Sequence, residues 1–178
     1  HFMINRSRPT NTQKARTYPW LITAMYLAIL LGCSAPETRF EKPLTEVELA
    51  RTLITQNKNT PLNMSGRNLA DLNMENRNLQ NAQLSGSFLE DVILDGANLK
   101  MANLENAKLR GARMRKTDLT QANLRGADLR GADLSGAILN GVDLSDANLS
   151  GARLKDIQVD NTNLESTVFG KAHLMDSN

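Results

Sequence analysis

The sequence has 178 residues with 21 Lys and Arg against 19 Asp and Glu, and this small net charge of +2 gives no general attraction to nucleic acid. One Cys excludes an intramolecular disulfide, and one Cys with two His excludes a zinc site built from Cys and His ligands. Hydrophobic residues make up 40% of the chain but aromatic residues only 4%, which is unusual for a globular core and indicates a repeat.

Residues 1–33 have the composition of an export signal. They contain four basic residues and no acidic one, and residues 20–31 form a run of twelve uncharged residues. Such a run is shorter than the roughly 20 residues that a helix needs to span a bilayer. A basic start followed by a short apolar run predicts a secretory signal peptide. Without this segment the chain has 17 Lys and Arg against 19 Asp and Glu, a net charge of −2.

The apolar run ends in the sequence LLGCS, residues 30–34, which resembles the lipobox of bacterial lipoproteins. This resemblance implies that Cys33 is lipidated on its sulfur and becomes the new N-terminus after cleavage. Several acyl chains would anchor the protein firmly, whereas one chain binds a membrane only marginally. The alternatives are cleavage after Ala35, which Pro36 disfavours, and a chance Cys at the end of a signal.

A tether and a short helix are predicted next. Residues 34–44 are polar and have no period, which predicts a tether. Thr45 and Glu48 form a capping box at the start of a predicted helix over 45–60, and Pro61 follows its end. The helix carries an apolar stripe, and a helix of about three turns is not stable alone in water. We therefore expect its stripe to cover another part of the chain.

From Leu62 to Asp176 the sequence repeats in 23 units of five residues without a change of register. The third residue of each unit is apolar in all 23 units and is Leu in 18 of them. The first residue is Ala in 12 units, and the fifth is Gly, Asn or Asp in 18. Nine of the 11 glycines of the chain occupy that fifth position, so the pattern is highly specific.

A period of five excludes one long helix or one long strand as the repeating element. In a helix, residues five apart are rotated by about 140°, and in a strand an odd period places alternate leucines on opposite faces. Within one short extended unit, however, the first and third residues point the same way. Gly, Asn and Asp at the fifth position suit a turn. The units therefore predict a coil that turns at each fifth residue and is lined by Ala and Leu.

The units at 122–124, 127–129 and 132–134 have the sequences Ala-Asn-Leu, Ala-Asp-Leu and Ala-Asp-Leu, which resemble the A-(D/N)-L-x-x pattern of the pentapeptide-repeat family. The resemblance covers 115 of 178 residues. It implies an all-β solenoid, a right-handed quadrilateral β-helix with one unit per side, of nearly six coils and about 27 Å. The expected organisation is a signal peptide at 1–33, a tether at 34–44, a short N-terminal α-helical cap at 45–60 and the β-helix at 61–178.

The two ends of the predicted rod differ. Arg67 and Arg77 stand where Ala is expected, and we expect both to point outward from a first coil that receives the cap. Phe169, Leu174 and Met175 lie at the far end, where no helix is predicted after them. An open solenoid end exposes apolar side chains and backbone groups. We therefore predict end-to-end self-association into a homodimer through this edge, with a frayed monomer as the alternative.

The sequence predicts no catalytic, cofactor or metal site. His173 is the one His after the signal segment and is interpreted as a surface residue, and no Ser or Thr has a base at a recognisable spacing. We therefore expect that the protein is not an enzyme and that it requires no cofactor.

A charged surface is the remaining candidate, either as an interaction surface or as a set of charges that pair with one another. Its central members are Arg110, Arg115, Arg125 and Arg130. In a four-sided coil residues twenty apart stack, which predicts the pairs Glu90–Arg110, Asp95–Arg115, Glu105–Arg125, Lys108–Asp128 and Arg113–Asp133. We favour the self-paired surface. Two aromatic residues in the whole repeat region give poor support for nucleic-acid binding.

Two functions follow from these observations. The first is an exported, lipid-anchored structural or interaction module that binds an unknown protein partner. It would lie at the periplasm-facing membrane surface, or in the thylakoid lumen if the source is cyanobacterial. The second is implied by the family resemblance, since some members mimic DNA and protect topoisomerases in the cytoplasm. A DNA mimic needs a strongly acidic rod, and the net charge of −2 and the export signal disfavour it.

Overall fold

The computed structural model describes residues 44, 45, 48, 49, 52 and 61–174, and every structural statement below refers to them. Residues 61–174 form a solenoid. Its β structure consists of nineteen isolated parallel bridges, each between residues twenty apart, from Asn63–Gln83 to Arg153–His173. The expected stacking of every fourth unit is therefore confirmed.

Each coil has four sides, which we number by the second residues of their units. Side 1 carries residues 63, 83, 103, 123, 143 and 163; side 2 carries 68, 88, 108, 128, 148 and 168; side 3 carries 73, 93, 113, 133, 153 and 173; side 4 carries 78, 98, 118, 138 and 158. Sides 1 and 3 are opposite each other, as are sides 2 and 4.

Backbone hydrogen bonds join successive coils in both directions along the axis. Asn103 N–H donates to the Ala82 carbonyl of the preceding coil at 2.8 Å. The Asn103 carbonyl in turn accepts from Leu84 N–H at 2.7 Å, and Gly86 N–H donates to the Glu105 carbonyl at 2.8 Å. Because this pattern recurs on all four sides, the buried backbone of the inner coils satisfies its hydrogen bonds within the rod.

The corners are turns with a left-handed residue at the fifth position. All twenty-two fifth residues from Gly66 to Lys171 have a positive φ between 53° and 72°. The N–H of the following first residue donates back to the third residue, as from Ala107 to Leu104 at 3.0 Å. This is the type II turn, which favours Gly or Asn at this position. A Cβ added at Gly111 would meet Asp91 Oδ1, so the Asp91 side chain would have to move.

First and third residues point inward and form one continuous core. The third residues from Leu69 to Leu154 are at most 2% exposed. Each buried Leu contributes about 1.5–3 kcal/mol. Polar first residues are accommodated by hydrogen bonds, since the buried Ser87 and Thr117 hydroxyls donate to the carbonyls of Leu84 and Leu94.

The N-terminal end of the core is covered by residues that precede the repeats. Leu44 and Leu49 belong to the same hydrophobic cluster as the first coils, and Leu44 N–H donates to the Asn68 carbonyl at 2.9 Å. Glu48, Leu49 and Thr52 are helical. The reciprocal Thr45–Glu48 hydrogen bonds of the capping box are present. The other residues of the predicted cap at 45–60 lie outside the described residues, so the helix over its full length stays a prediction.

The first coil shows the outward Arg side chains that its unusual first positions predicted. Arg67 and Arg77 are exposed, whereas Leu62 and Leu72, the other large first residues, are buried. Both Arg expectations are therefore confirmed.

The C-terminal end has no such cover within the described residues. Leu164 and Leu174, at inward positions, are 44% and 53% exposed, and Phe169 is partly buried. In the inner coils the N–H groups of third and fifth residues donate to the next coil, but those of Val159 and Leu164 in the last coil have no hydrogen-bond partner among the described residues. Met175, the third residue of the predicted edge, lies outside the described residues.

The predicted signal peptide at 1–33 with Cys33, and the tether except for Leu44, also lie outside the described residues. In the part of the chain that is described, no helix has the length and apolar character that crossing a membrane requires.

Candidate functional site

The second residue of each unit points outward, and in most units its side chain stabilises the backbone of its own side. In thirteen units the Oδ1 atom of Asn or Asp accepts the N–H of the residue two positions later; examples are Asn103 with Glu105 N–H and Asp118 with Thr120 N–H, both at 3.1 Å. These are Asx turns, the local hydrogen bonds that Asn and Asp form readily. The Asn and Asp residues at second positions therefore have a structural role, which the repeat pattern alone did not indicate.

The four central residues of the predicted charged surface lie on three sides of the coil. Arg110 and Arg130 are on side 2, Arg115 is on side 3 and Arg125 is on side 1. The solenoid therefore brings Arg110 and Arg130 together but separates Arg125 from Arg115 by the full width of the rod.

The strongest electrostatic cluster lies on side 3 around Asp95, which is 8% exposed. Its Oδ2 atom accepts from Arg113 Nη2 and Arg115 Nη2, each at 2.5 Å, and its Oδ1 atom accepts from Arg115 N–H at 3.0 Å. Burial by itself would raise the pKa of Asp95, but the hydrogen bonds from Arg115 and Arg113 outweigh it and lower the pKa to about 2. The carboxylate is thus ionised and fixed between two guanidinium groups.

This cluster confirms the predicted Asp95–Arg115 pair and corrects the predicted Arg113–Asp133 pair. Arg113 contacts Asp95 diagonally instead. Asp133 Oδ1 is occupied by Ser135, which donates its N–H at 3.1 Å and its hydroxyl at 2.6 Å. The long Arg113 side chain reaches diagonally to Asp95, so Arg113 and Arg115 share the Oδ2 atom of one carboxylate.

None of the other three predicted pairs forms an ion pair within 4 Å among the described residues, although Lys108 and Asp128 are bridge partners as predicted. Asp128 pairs with Arg130, two residues away, at 2.6 Å instead of with Lys108, and the hydrogen bond from Arg130 lowers its pKa. Arg125 lies 3.5 Å from Asp146, across a corner, and both side chains are more than half exposed.

The last of these pairs, Glu90–Arg110, does not form an ion pair within 4 Å. Arg130 and Arg125 instead pair with a carboxylate two residues away and with one across a corner, both within reach of a long side chain. Exposed pairs of this kind contribute at most about 1 kcal/mol.

Among the shallow grooves on the described surface, two are each lined by more than one Arg or Lys side chain. One, on side 2, is lined by Glu90, Asp91, Arg110 and Arg130 with two glycines and has a volume of about 510 Å³. The other, near the C-terminal end of side 3, is lined by Ser135, Arg153, Lys155 and His173 and has a volume of about 360 Å³. Within the described residues no group of three or more His, Cys, Asp or Glu side chains is placed to hold a metal ion.

The fold and its surfaces define a β-solenoid built from five-residue units, with outward side chains in straight columns. Comparison with family models gives the same class: the pentapeptide-repeat model matches eight copies within residues 63–178. The chain belongs to the pentapeptide-repeat family.

Several solved structures are similar to this chain. A pentapeptide repeat protein from the Arabidopsis thaliana thylakoid lumen is 28% identical over 67% of this chain and 66% of its own, with a TM-score of 0.28. A pentapeptide repeat protein from the cyanobacterium Cyanothece 51142 is 34% identical over 64% of this chain and 67% of its own, with a TM-score of 0.28. A pentapeptide repeat protein from Nostoc PCC 7120 is 33% identical over 52% of this chain and 84% of its own, with a TM-score of 0.36. Comparison with curated protein sequences gave no significant match.

Replacing Asp95 by Asn should destabilise the solenoid. The lowered pKa corresponds to about 2 kcal/mol of stabilisation at neutral pH, because one pKa unit equals about 1.4 kcal/mol. Since the folded-state pKa lies below the unfolded value of 3.8, this contribution is complete above that value and is lost as the pH falls toward about 2. We therefore expect Asp95→Asn to have a lower free energy of unfolding than the wild type at pH 7, and this difference should shrink below pH 4. Urea unfolding followed by circular dichroism measures it.

The matched control is Asp146→Asn, which removes a carboxylate from an exposed ion pair and should change stability little. Equal stability of Asp95→Asn and the wild type at pH 7, or a deficit that does not change down to pH 2, would contradict the assignment.

Proposed function

We propose that this protein is an exported, lipid-anchored, non-enzymatic scaffold that binds a protein partner through the sides of its solenoid. The main support for this proposal is that the residues of each five-residue unit have separate roles. Backbone hydrogen bonds and inward Leu side chains hold the coils together, so the outward second and fourth residues form flat columns that are accessible to a partner. Repeat proteins use extended surfaces of this kind for binding.

The sequence supports export to the periplasm-facing membrane surface, or to the thylakoid lumen of a cyanobacterium. Its basic start, its apolar run and the lipobox-like LLGCS segment with Cys33 are the features that support it. These residues precede the described part of the chain, so this step of the proposal depends on the sequence.

The competing proposal, a cytoplasmic DNA mimic that binds topoisomerase, requires uninterrupted negative columns along the rod. The described surface is different, because carboxylates on three sides are paired with cations. Asp95 pairs with two Arg residues, Asp118 with Lys100 at 3.1 Å and Asp128 with Arg130. This pairing favours the scaffold.

Export and anchoring can be tested by measuring the intact mass and the membrane fractionation of the protein from its host. The same measurements are made on the Cys33→Ser variant for comparison. We expect a membrane-bound species that begins at Cys33 and carries added acyl mass, and we expect the substitution to remove both properties. A soluble product that begins at Pro36 would contradict lipidation. Retention of residues 1–33 in the cytosol would contradict export and would favour the DNA mimic.

We further propose that the last coil is a self-association edge that pairs with a second copy of the chain. Its inward Leu164 and Leu174 are about half exposed, and the N–H groups of Val159, Leu164 and Phe169 make no hydrogen bond in the described structure. Natural sheet edges of this kind are normally covered or paired. A symmetric dimer would bury both the apolar side chains and the free backbone groups.

Light scattering after size exclusion, on the Cys33→Ser protein, tests this edge. We expect a dimer that Leu174→Lys converts to a monomer, because the substitution buries a charge in the interface. The matched control is Met101→Lys, since Met101 has the same 53% exposure but lies at a corner in the middle of the rod. The proposal is wrong if the parent protein is monomeric at all concentrations or if both substitutions have the same effect.

A further inference from the structure

The positive charges on side 3 are neutralised in the middle of the rod but not near its C-terminal end. Arg113 and Arg115 both bind Asp95. Arg153, two coils further on, makes no ion pair and no side-chain hydrogen bond in the described structure. Lys155 lies 4.0 Å from Asp156, and both side chains are more than half exposed, so this contact is weak.

The solenoid gathers these free cations around the groove of about 360 Å³ on side 3. Arg153 and His173 are bridge partners, so they stack in one column. Ser135 and Lys155 occupy the neighbouring column of fourth residues on the same side. Stacked residues lie about 4.8 Å apart and residues two apart along an extended unit about 6.6 Å, so the ends of these side chains can converge on one small group.

Among the described residues, no carboxylate lines this groove. The nearest carboxylate in the column is Asp133, the bridge partner of Arg153, and its Oδ1 atom is held by the N–H and the hydroxyl of Ser135. The Ser135 hydroxyl donates to Asp133, so the remaining side-chain donors that line the groove are those of Arg153, Lys155 and His173. The groove on side 2 differs, since Glu90 and Asp91 line it and would repel an anion.

We propose that the side 3 groove is a binding site for a phosphate-type oxyanion. The guanidinium of Arg153 presents a planar pair of donors that matches two oxygens of such a group, and the Lys155 ammonium adds a point charge beside it. The imidazole of His173 contributes a further N–H donor from the last coil. The site does not depend on export, lipidation or dimerisation.

The site can be tested by adding inorganic phosphate to the full chain at constant pH and ionic strength. Binding is followed by NMR through the ring resonances of His173. We expect a saturable shift with millimolar affinity, and His173→Gln identifies the resonance. Arg153→Gln should weaken binding by about tenfold or more, because it removes a charge-assisted pair of hydrogen bonds. Arg125→Gln is the matched control, since it removes the same charge on the opposite side of the rod and should leave the affinity unchanged.

Sedimentation with vesicles distinguishes the two sources of a phosphate group. Binding to phosphatidylglycerol vesicles, but not to phosphatidylcholine vesicles, with loss in Arg153→Gln would identify a lipid headgroup as the ligand. A phosphate-induced shift without vesicle binding would identify a free phosphate compound. The proposal is overturned if neither probe binds, or if Arg125→Gln weakens binding as much as Arg153→Gln, because the effect would then reflect overall charge. None of these outcomes bears on the fractionation result for Cys33.

Discussion

The left-handed backbone at every fifth residue is the constraint on which the rest of the rod depends. A positive φ at this position turns the chain through a corner. The N–H and carbonyl groups of the next unit can then form hydrogen bonds with the neighbouring coils. Glycine adopts this conformation without cost, and Asn and Asp adopt it more readily than other residues. Met101 and Lys116 adopt this conformation with some backbone strain. The coils paired on either side stabilise the strained backbone.

Because the backbone and the inward residues are committed to the coil, function has to reside in the outward side chains. These side chains are themselves partly committed: Asn and Asp at second positions close Asx turns, and several carboxylates bind cations beside them. A surface that looks uniformly charged in sequence therefore divides into neutralised regions and a few free groups. Within the described residues, Arg153 makes no ion pair, Lys155 makes only a weak one, and the last coil exposes inward side chains, so these groups are available to a partner.

Much of the fold could be predicted from the sequence because each position in the unit has one physical role. The inward third residues and the twenty-residue stacking follow from a period of five with four units per coil. Arg67 and Arg77 occupy inward first positions but point outward because their charge is costly to bury. The pairing of charges was predicted less well, since a long side chain such as that of Arg113 reaches a diagonal partner instead of the residue stacked with it. The side 3 groove joins residues up to 38 positions apart. The twenty-residue stacking places Arg153 beside His173, but the repeat pattern does not show that Arg153 makes no ion pair with Asp133.

Disulfide formation between residues twenty apart tests the stacking of the coils most directly. Ser65 and Ser85 stack on side 1 with their Oγ atoms 3.2 Å apart. In a Cys33→Ser background, Ser65→Cys with Ser85→Cys should therefore form an intramolecular disulfide on mild oxidation, seen as a loss of about 2 Da in intact mass. Ser65→Cys with Glu75→Cys, which lie closer in sequence but on opposite sides, should remain reduced. Disulfide formation in the second pair, or its absence in the first, would contradict the four-sided coil.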